Sequence, residues 1–577
     1  MSEPSSKPAN EPTRPEARMD RRTVLMSAAA LAAGAMGAPL GSMIAHAREP
    51  GPEAMTRAGR IRGYHDGAVK VFKAVPYGAS TAGENRWLAP QPVPPWKGVR
   101  DTLVAGGMSP QHGGAPLAEE QAMSQTAPQS EDCLYLNIST PAVGPRSGRR
   151  PVIVWYHGGG FAAGSGNATS YDGRNLVEKH DVVLVTVTHR LNVLGFLYLA
   201  ELYGPRYADS GNVGILDCQA ALQWIRDNIA HFGGDPGNVT IAGQSGGGAK
   251  VAVLMSMPSA KGLFHRAVGE SGAILRINTK EQATAAAKRF VEALGVKSIS
   301  ELQAVPADRL LDVMSEARVM AAPILDGITL AHQPFDPQAL SASRDVPFMV
   351  GSNETEATFF PTTPLDPIDD AKLHELVKGA AHVNDSDADR LIDVFRRVYP
   401  GKDNTYLFQL IASQVSLSQA IITEAERKAD QGGAPVYVYY FTKHTPVRDG
   451  KLRAVHTLEI PYVFDSLAHA APIIGPVTAE QQALADKVSS AWVSFAKTGN
   501  PNNAKIPQWP AFDTKRRAIM VIDDQWHAAD DPLRETRLAI ADITAHSPPP
   551  GSRGPPAGPP EAVPPPAGAA PGGPPPG

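Results

Sequence analysis

Cysteine is nearly absent, with only Cys133 and Cys218 in 577 residues. Two thiols cannot build a disulfide scaffold or a Cys-rich zinc or iron–sulfur site. An excess of charge of one sign is also missing. Lys and Arg number 54 against 58 Asp and Glu, a net charge of -4, and no basic run occurs. Nucleic-acid binding through phosphate neutralisation is thereby excluded as a leading function. No stretch of 18 strongly apolar residues runs free of Gly, Pro or Ser, so an integral membrane protein is not expected. What is present is a composition of 42% hydrophobic and 19% charged residues, enough for a sizeable core and unlike a disordered chain.

Both ends differ from the middle. Residues 1–18 are polar and Pro-rich. They are followed by Asp20-Arg21-Arg22-Thr23-Val24-Leu25, an Ala/Gly/Met run to Leu40, and Ala45-His46-Ala47. A basic pair, a short apolar region and an A-x-A site form the pattern of an export signal cut after Ala47. The paired arginines resemble a twin-arginine signal, although Val24 and Met26 depart from its usual Phe and Lys. Residues 1–47 are therefore expected to be an extension and signal, and a periplasmic location follows. At the other end, residues 547–577 hold 14 Pro, 7 Gly and 5 Ala, so no core can form there and an extended tail is expected.

Residues 48–546 alternate apolar runs with helical patterns. Pro151-Val-Ile-Val-Trp-Tyr156 and Val182-Val-Leu-Val-Thr-Val187 are continuous apolar runs, as strands covered on both faces require. Asp217–Phe232 carries Leu222, Ile225 and Ile229 at helical spacing, and Asn238-Val-Thr-Ile-Ala242 is again a strand. Strand, helix and strand with Gly-rich joints predict an α/β sheet.

The sharpest local signal is Gly243-Gln244-Ser245-Gly246-Gly247, between that strand and a helical stretch over Ala249–Met257. Glycines two positions either side of a serine permit a tight strand-to-helix turn. Such a turn lifts the hydroxyl to the sheet edge and aims the helix N-terminus at it. Ser245 is the expected nucleophile. Gly269-Glu-Ser271-Gly-Ala273 is a near-miss of the same pattern, and Ser271 is expected to hydrogen-bond behind the site. An acyl-transfer serine needs donors for an oxyanion. His157-Gly158-Gly159-Gly160-Phe161 leaves the first strand without side chains that would block its amides. Gly159, Gly160 and Gly246 are the expected donors, with His157 shaping the loop.

These segments together resemble the type-B carboxylesterases of the α/β-hydrolase superfamily, close to the bacterial p-nitrobenzyl esterases and more distantly the cholinesterases. The likeness runs from about Arg57 to Leu533. It is carried by Ala74-Val-Pro-Tyr77, Glu131-Asp-Cys-Leu-Tyr-Leu-Asn137, the Gly158–Gly160 segment, Phe232-Gly-Gly-Asp-Pro-Gly-Asn-Val-Thr240 and the serine turn. It implies an α/β-hydrolase fold with a large, mostly parallel central sheet flanked by helices. It also implies a triad completed by Glu356, in Gly351-Ser-Asn-Glu-Thr-Glu-Ala-Thr-Phe-Phe360, and by His456, in His456-Thr-Leu-Glu-Ile-Pro-Tyr-Val-Phe464. Glu354 is the nearest rival to Glu356, and as an ordinary exposed carboxylate it needs no special role.

Three departures from the family pattern stand out. Gln244 occupies the place of the family's usual Glu before the nucleophile, which removes a carboxylate beneath the site. Ser109 stands where Cys133 would find its disulfide partner, so Cys133 is expected to be a buried free thiol, unpaired with Cys218 as well. Folding would then not need an oxidising compartment, which suits twin-arginine export. Residues 112–129, which resemble the loop rimming the family's gorge, are poor in aromatics, so choline esters are not the expected substrates. The resemblance implies a serine hydrolase of small to medium carboxylic esters, with no metal or organic cofactor. Acyl transfer, amide or thioester cleavage with the same triad, and a non-catalytic binding module, are the alternatives.

Overall fold

The computed structural model describes residues 51–545, except 113–116 and 125–126. The expected export signal and the Pro-rich tail lie outside the described residues. From Pro52 onward the described chain forms one compact unit.

Its backbone is an eleven-stranded sheet. The strands are β1 (Tyr64–Asp66), β2 (Val69–Pro76), β3 (Tyr135–Thr140), β4 (Arg150–Tyr156), β5 (Val183–Thr188), β6 (Gly234–Gln244), β7 (Arg266–Glu270), β8 (Phe348–Asn353), β9 (Val436–Phe441), β10 (Ala518–Ile522) and β11 (His527–Asp530). Their spatial order is β11-β10-β9-β8-β7-β6-β4-β5-β3-β2-β1. Strands β10 through β5 pair in parallel. The strands at the two ends pair antiparallel. The apolar runs read from the sequence are β4 and β5, and the strand expected over 238–242 is the end of the longer β6.

Continuous apolar strands are needed because both faces of the sheet are covered. Alternate residues of β4 enter different cores: Val152, Val154 and Tyr156 face one, while Ile153 and Trp155 face the other. Strand β5 divides in the same way, with Val183, Val185 and Val187 opposite Leu184.

Four helices matter below: α1 (Ala118–Gln121), α2 (Val213–Asn228), α3 (Gly246–Ser256) and α4 (Ala479–Thr498). Helices α2 and α3 pack on the first face, and α4 on the second. Helix α4 begins with a capping box between Thr478 and Gln481 and ends where Gly499 turns left-handed. Helix α3 begins at Gly246, three residues before the helical stretch read from the sequence. The difference arises because its first residues are glycines, whose low helix propensity hides a start dictated by tertiary packing. Cys133 and Cys218 are buried free thiols, as expected. Among the described residues no helix is long and apolar enough to cross a membrane.

An ion pair ties β5 to α2. The Arg190 guanidinium donates to both oxygens of Asp217, at 2.8 and 2.6 Å, and to the Leu88 carbonyl at 2.7 Å. Both side chains are essentially inaccessible, at 2% and 0% exposure. Neutralising one partner of a fully buried pair strands the other's charge, at a cost of about 3–5 kcal/mol. Asp217→Asn should therefore shift the urea midpoint by that equivalent. A midpoint within experimental error of the wild type would contradict the assignment of a structural ion pair.

Candidate active site

The expected site residues gather at the carboxyl edge of the parallel strands, where open α/β sheets assemble their ligand sites. Ser245 follows β6, Ser271 follows β7, Glu356 follows β8, and the Gly158–Gly160 segment follows β4. His456 lies in the loop beyond β9. An isolated bridge between Thr355 and Val455 stitches that loop to the Glu356 segment.

Ser245 has φ 57° and ψ −124°, a conformation costing a non-glycine residue of order 1–3 kcal/mol. Its neighbours hold it there. The Ser245 amide donates to the Glu270 carbonyl at 2.7 Å, and its own carbonyl accepts from the Ala249 amide at 3.0 Å. The turn is also crowded. A Cβ on Gly247 would lie 2.0 Å from the Tyr156 carbonyl oxygen, so only glycine lets α3 start so near β4.

The glycine segment packs directly over this turn, with Gly160 Cα 2.4 Å from where a Gly246 Cβ would stand. In a trans peptide the C=O and the following N–H point opposite ways. The Gly158 carbonyl is paired with His157 Nδ1 at 2.8 Å. The Gly159 carbonyl accepts the amides of Ala162 and Ala163 at 3.2 and 3.0 Å. The amides of Gly159 and Gly160 are thereby turned away from both partners. Among the described residues neither these amides nor that of Gly246 has an acceptor. Three unpaired donors beside Ser245 form a ready site for a developing anion. His157 is bonded to that loop through the Gly158 carbonyl. Burial, reinforced by the Lys250 charge, pushes its pKa down to about 3, so it is neutral.

Glu356 and His456 form a buried pair. Glu356 Oε2 lies 2.5 Å from His456 Nδ1, and Glu356 Oε1 accepts the Asn353 amide at 2.7 Å. Burial alone would lower the His456 pKa, but the facing Glu356 carboxylate outweighs it and holds the imidazole above its ordinary value. The rings of Phe359 and Phe360 flank it, at 5.1 and 6.4 Å between centroids. No hydrogen bond joins Ser245 Oγ to His456 in this structure. The His456 Nε2 atom instead lies 3.2 Å from the Gln244 side-chain amide.

The remaining expectations divide. Ser271 Oγ donates to Glu459 Oε1 at 3.4 Å. Glu354 bonds His444 Nε2 at 2.6 Å and the Tyr406 hydroxyl at 2.9 Å. It belongs to a separate cluster, although its side chain is only 15% exposed rather than open to solvent. Gln244 puts an amide, not a carboxylate, immediately before Ser245. Gln244 sits in register opposite Glu270 on the adjacent strand, so a carboxyl group does lie one strand away. Glu270 accepts from Trp492 Nε1 at 2.7 Å, and burial together with Glu459 raises its pKa well above the usual carboxylate range. Burial, and then repulsion from Glu356, lift Glu459 to about 7, while Asn353 Nδ2 donates to it at 2.6 Å. On the rim, burial lifts Glu120 of α1 to about 7, against the opposing pull of His456.

Comparison with known proteins places the chain within a family. A sequence profile described as the carboxylesterase family matches residues 50–541. The chain belongs to the carboxylesterase family. The para-nitrobenzyl esterase of Bacillus subtilis is 33% identical over 507 residues, covering 84% of this chain and 97% of that protein. The phenmedipham hydrolase of Pseudarthrobacter oxydans is 32% identical over 505 residues, covering 82% and 95%. A crystal structure of a Geobacillus stearothermophilus carboxylesterase superposes with a TM-score of 0.72 at 36% identity, over 84% of this chain and 99% of that one. An esterase from Clostridium hathewayi, titled as able to hydrolyse aliphatic aromatic polyesters, gives 0.74 at 32% identity, over 85% and 98%. The protein is thus a carboxylic-ester hydrolase of the α/β-hydrolase fold.

Sequence reasoning about this carboxylesterase missed Glu120, Glu270, Glu459 and Lys250. The carboxylates come from three distant segments and carry no spacing signal. Lys250 did leave one, as the single charge within the apolar stretch Ala249–Met257.

The raised Glu459 has a consequence for stability. Its folded pKa of about 7 exceeds the model-peptide 4.5, so between those values the native state holds a proton that the unfolded chain has lost. Stability from this group is present at low pH and declines as pH rises from about 4.5 to 7. Glu270 acts in the same direction. Glu459→Gln should therefore reduce, without abolishing, the fall in urea midpoint across that window. Superimposable wild-type and variant slopes would refute the shift.

Proposed function

We propose that this chain is an exported serine esterase in which Ser245, His456 and Glu356 act as a Ser-His-Glu triad on small to medium carboxylic esters. The observation that carries the reading is the buried Glu356–His456 pair beside a strained serine and three unpaired glycine amides. Glu356 accepts the hydrogen bond from His456 Nδ1–H, which leaves the Nε2 lone pair as the base. For reaction, that lone pair exchanges the Gln244 amide for the Ser245 hydroxyl, a tightening that substrate binding promotes. Ser245 Oγ then attacks the ester carbonyl as its proton passes to His456. The Gly159, Gly160 and Gly246 amides receive the oxyanion. His456 returns the proton to the departing alcohol, leaving an acyl-Ser245 ester. Water activated by the same imidazole attacks this ester, the acid leaves, and Ser245 recovers its proton.

The names of the relatives support an ester substrate. The basic pair, apolar stretch and Ala45-His46-Ala47 support export. The chemistry needs no group beyond these side chains and amides.

Hydrolysis of a p-nitrophenyl acyl series from acetate to laurate tests the reading, with product analysis in added alcohol to separate hydrolysis from transfer. The wild type should turn over at least one member of the series. Ser245→Ala should lower kcat by about 10⁴–10⁶-fold, and a fluorophosphonate should label the wild type alone. Retained turnover in Ser245→Ala would refute the triad. Glu356→Gln should lower kcat by about 10⁴-fold. Because His456 must be neutral to accept the proton, activity falls below its pKa. Loss of the carboxylate that raises this pKa should move the acid limb of kcat/KM to lower pH. An unmoved limb would remove Glu356 from the triad.

A further inference from the structure

A charged residue outside the triad lies under the anion-binding amides. Lys250 is on α3, four residues beyond Gly246, and its side chain is wholly inaccessible. Its ammonium donates to the Gly160 carbonyl at 2.8 Å and to the His157 carbonyl at 3.1 Å, and lies 5.3 Å from the centre of the Phe161 ring. Among the described residues no carboxylate pairs with it. Buried lysines are rare and ordinarily paired, so a buried cation whose polar partners are two carbonyls calls for a reason.

The two carbonyls supply that reason. His157 stands immediately before the Gly158–Gly160 segment, and the Gly160 carbonyl closes it. Three consecutive glycines have the greatest backbone freedom of any such run, and Gly159 and Gly160 both take positive φ, 84° and 61°. One ammonium clasps this segment at both ends. The same ammonium belongs to α3, whose first residue Gly246 carries the third amide. Lys250 therefore fixes the spacing between the donors on the β4 loop and the donor on α3. Its positive charge, buried within hydrogen-bond reach of this loop, would favour a negative charge forming on the amides, in surroundings too apolar to screen it.

We propose that Lys250 is a positioning residue of the oxyanion hole, its ammonium locking the Gly159, Gly160 and Gly246 amides into one register and favouring negative charge upon them. The proposal rests on the triad reading above and extends it to a residue that does not touch substrate.

The groups facing Lys250 are identifiable on each element packed against it. His157 follows β4, with its ring stacked 4.8 Å from that of His189, which follows β5. Burial first, then the Lys250 charge, keeps His189 as well as His157 neutral. Cys218 on α2 is pushed far up by burial and stays a thiol, and the Tyr156 hydroxyl is likewise raised. Arg190 is neutralised by Asp217. Burial lowers Lys250 itself to about 8, so it is the group of this cluster that titrates in the mildly alkaline range. Above that pH the clasp loses its charge.

The test compares wild type, Lys250→Met and Lys250→Arg on one p-nitrophenyl ester from pH 6 to 10, with fluorophosphonate labelling of Ser245 in each sample. Wild-type kcat should fall on the alkaline side with a midpoint near 8. In Lys250→Met, kcat at pH 7 should drop by about 10–100-fold with KM within about twofold, because the loss is in the transition state. The alkaline limb should vanish. Binding of a trifluoromethyl ketone, whose adduct carries the oxyanion, should weaken in proportion to kcat. Lys250→Arg, which keeps a charge that does not titrate below pH 12, should recover part of kcat and extend activity to higher pH. Unchanged kcat in Lys250→Met, or a rise in KM alone, would overturn the proposal. So would survival of the alkaline limb in that variant. Should Lys250→Met fail to fold, the wild-type profile decides, and a kcat flat from pH 7 to 10 overturns it. A wild type that neither hydrolyses the ester nor labels at Ser245 would instead overturn the triad reading.

Discussion

The site depends on one backbone constraint. Strand β6 must end and α3 must begin within a single residue, and that residue is Ser245 at φ 57°. The strain persists because neighbouring strands over-determine it. Glu270 on β7 supplies the carbonyl that fixes the Ser245 amide, and Gly351 on β8 accepts from the Ser271 amide one strand further out. Across the other side, the Tyr156 carbonyl on β4 closes the space behind Gly247. The turn is thus the product of a parallel sheet whose carboxyl ends are level, and the glycines are what that levelness demands.

Much of this was legible from residue patterns. Continuous β-branched runs locate β4 and β5 because a doubly covered strand has no polar face. The serine between spaced glycines locates the turn because nothing larger fits. Glu356 and His456 came from family likeness, since no local pattern marks either as a partner of Ser245. Other features could not be read along the chain. The Gln244 amide reaches His456 from 212 positions away, and Asn353 joins Glu459 across 106. Such contacts are properties of loop paths at one sheet edge, and periodicity carries no information about them. The start of α3 was misplaced for a related reason, because packing against β4 overrides the poor helix propensity of Gly246, Gly247 and Gly248.

The electrostatics of the site have two layers. On the histidine side, Glu356, Glu459, Glu270 and Glu120 concentrate carboxyl groups, and burial keeps several of them protonated or near their midpoint. On the opposite side of Ser245, the loop after β4 is underlain by Lys250 and the two neutral histidines His157 and His189. Placing Gln at 244 and Glu at 270 leaves an uncharged amide touching the imidazole, with the carboxyl one strand removed. Of the carboxylates that raise the imidazole pKa, Glu356 is the strongest, with Glu459 and Glu120 adding to it.

The spacing of the candidate triad along the chain has a consequence for synthesis. Ser245 and His456 are separated by most of the second half of the sheet, including β7, β8 and β9. Parallel strands joined by long crossovers form few local contacts, so a chain emerging from the ribosome can pair β4, β5 and β6 well before the histidine loop exists. The serine turn can be shaped early, yet its candidate base, His456, is not in place until β9 and the segment bridging Thr355 to Val455 have docked. On the proposed triad, a chain that ends before His456 has no base for Ser245. If the proposed triad holds, the onset of turnover during refolding reports the docking of the loop beyond β9 against the Glu356 segment, making the candidate site a clock for that one step.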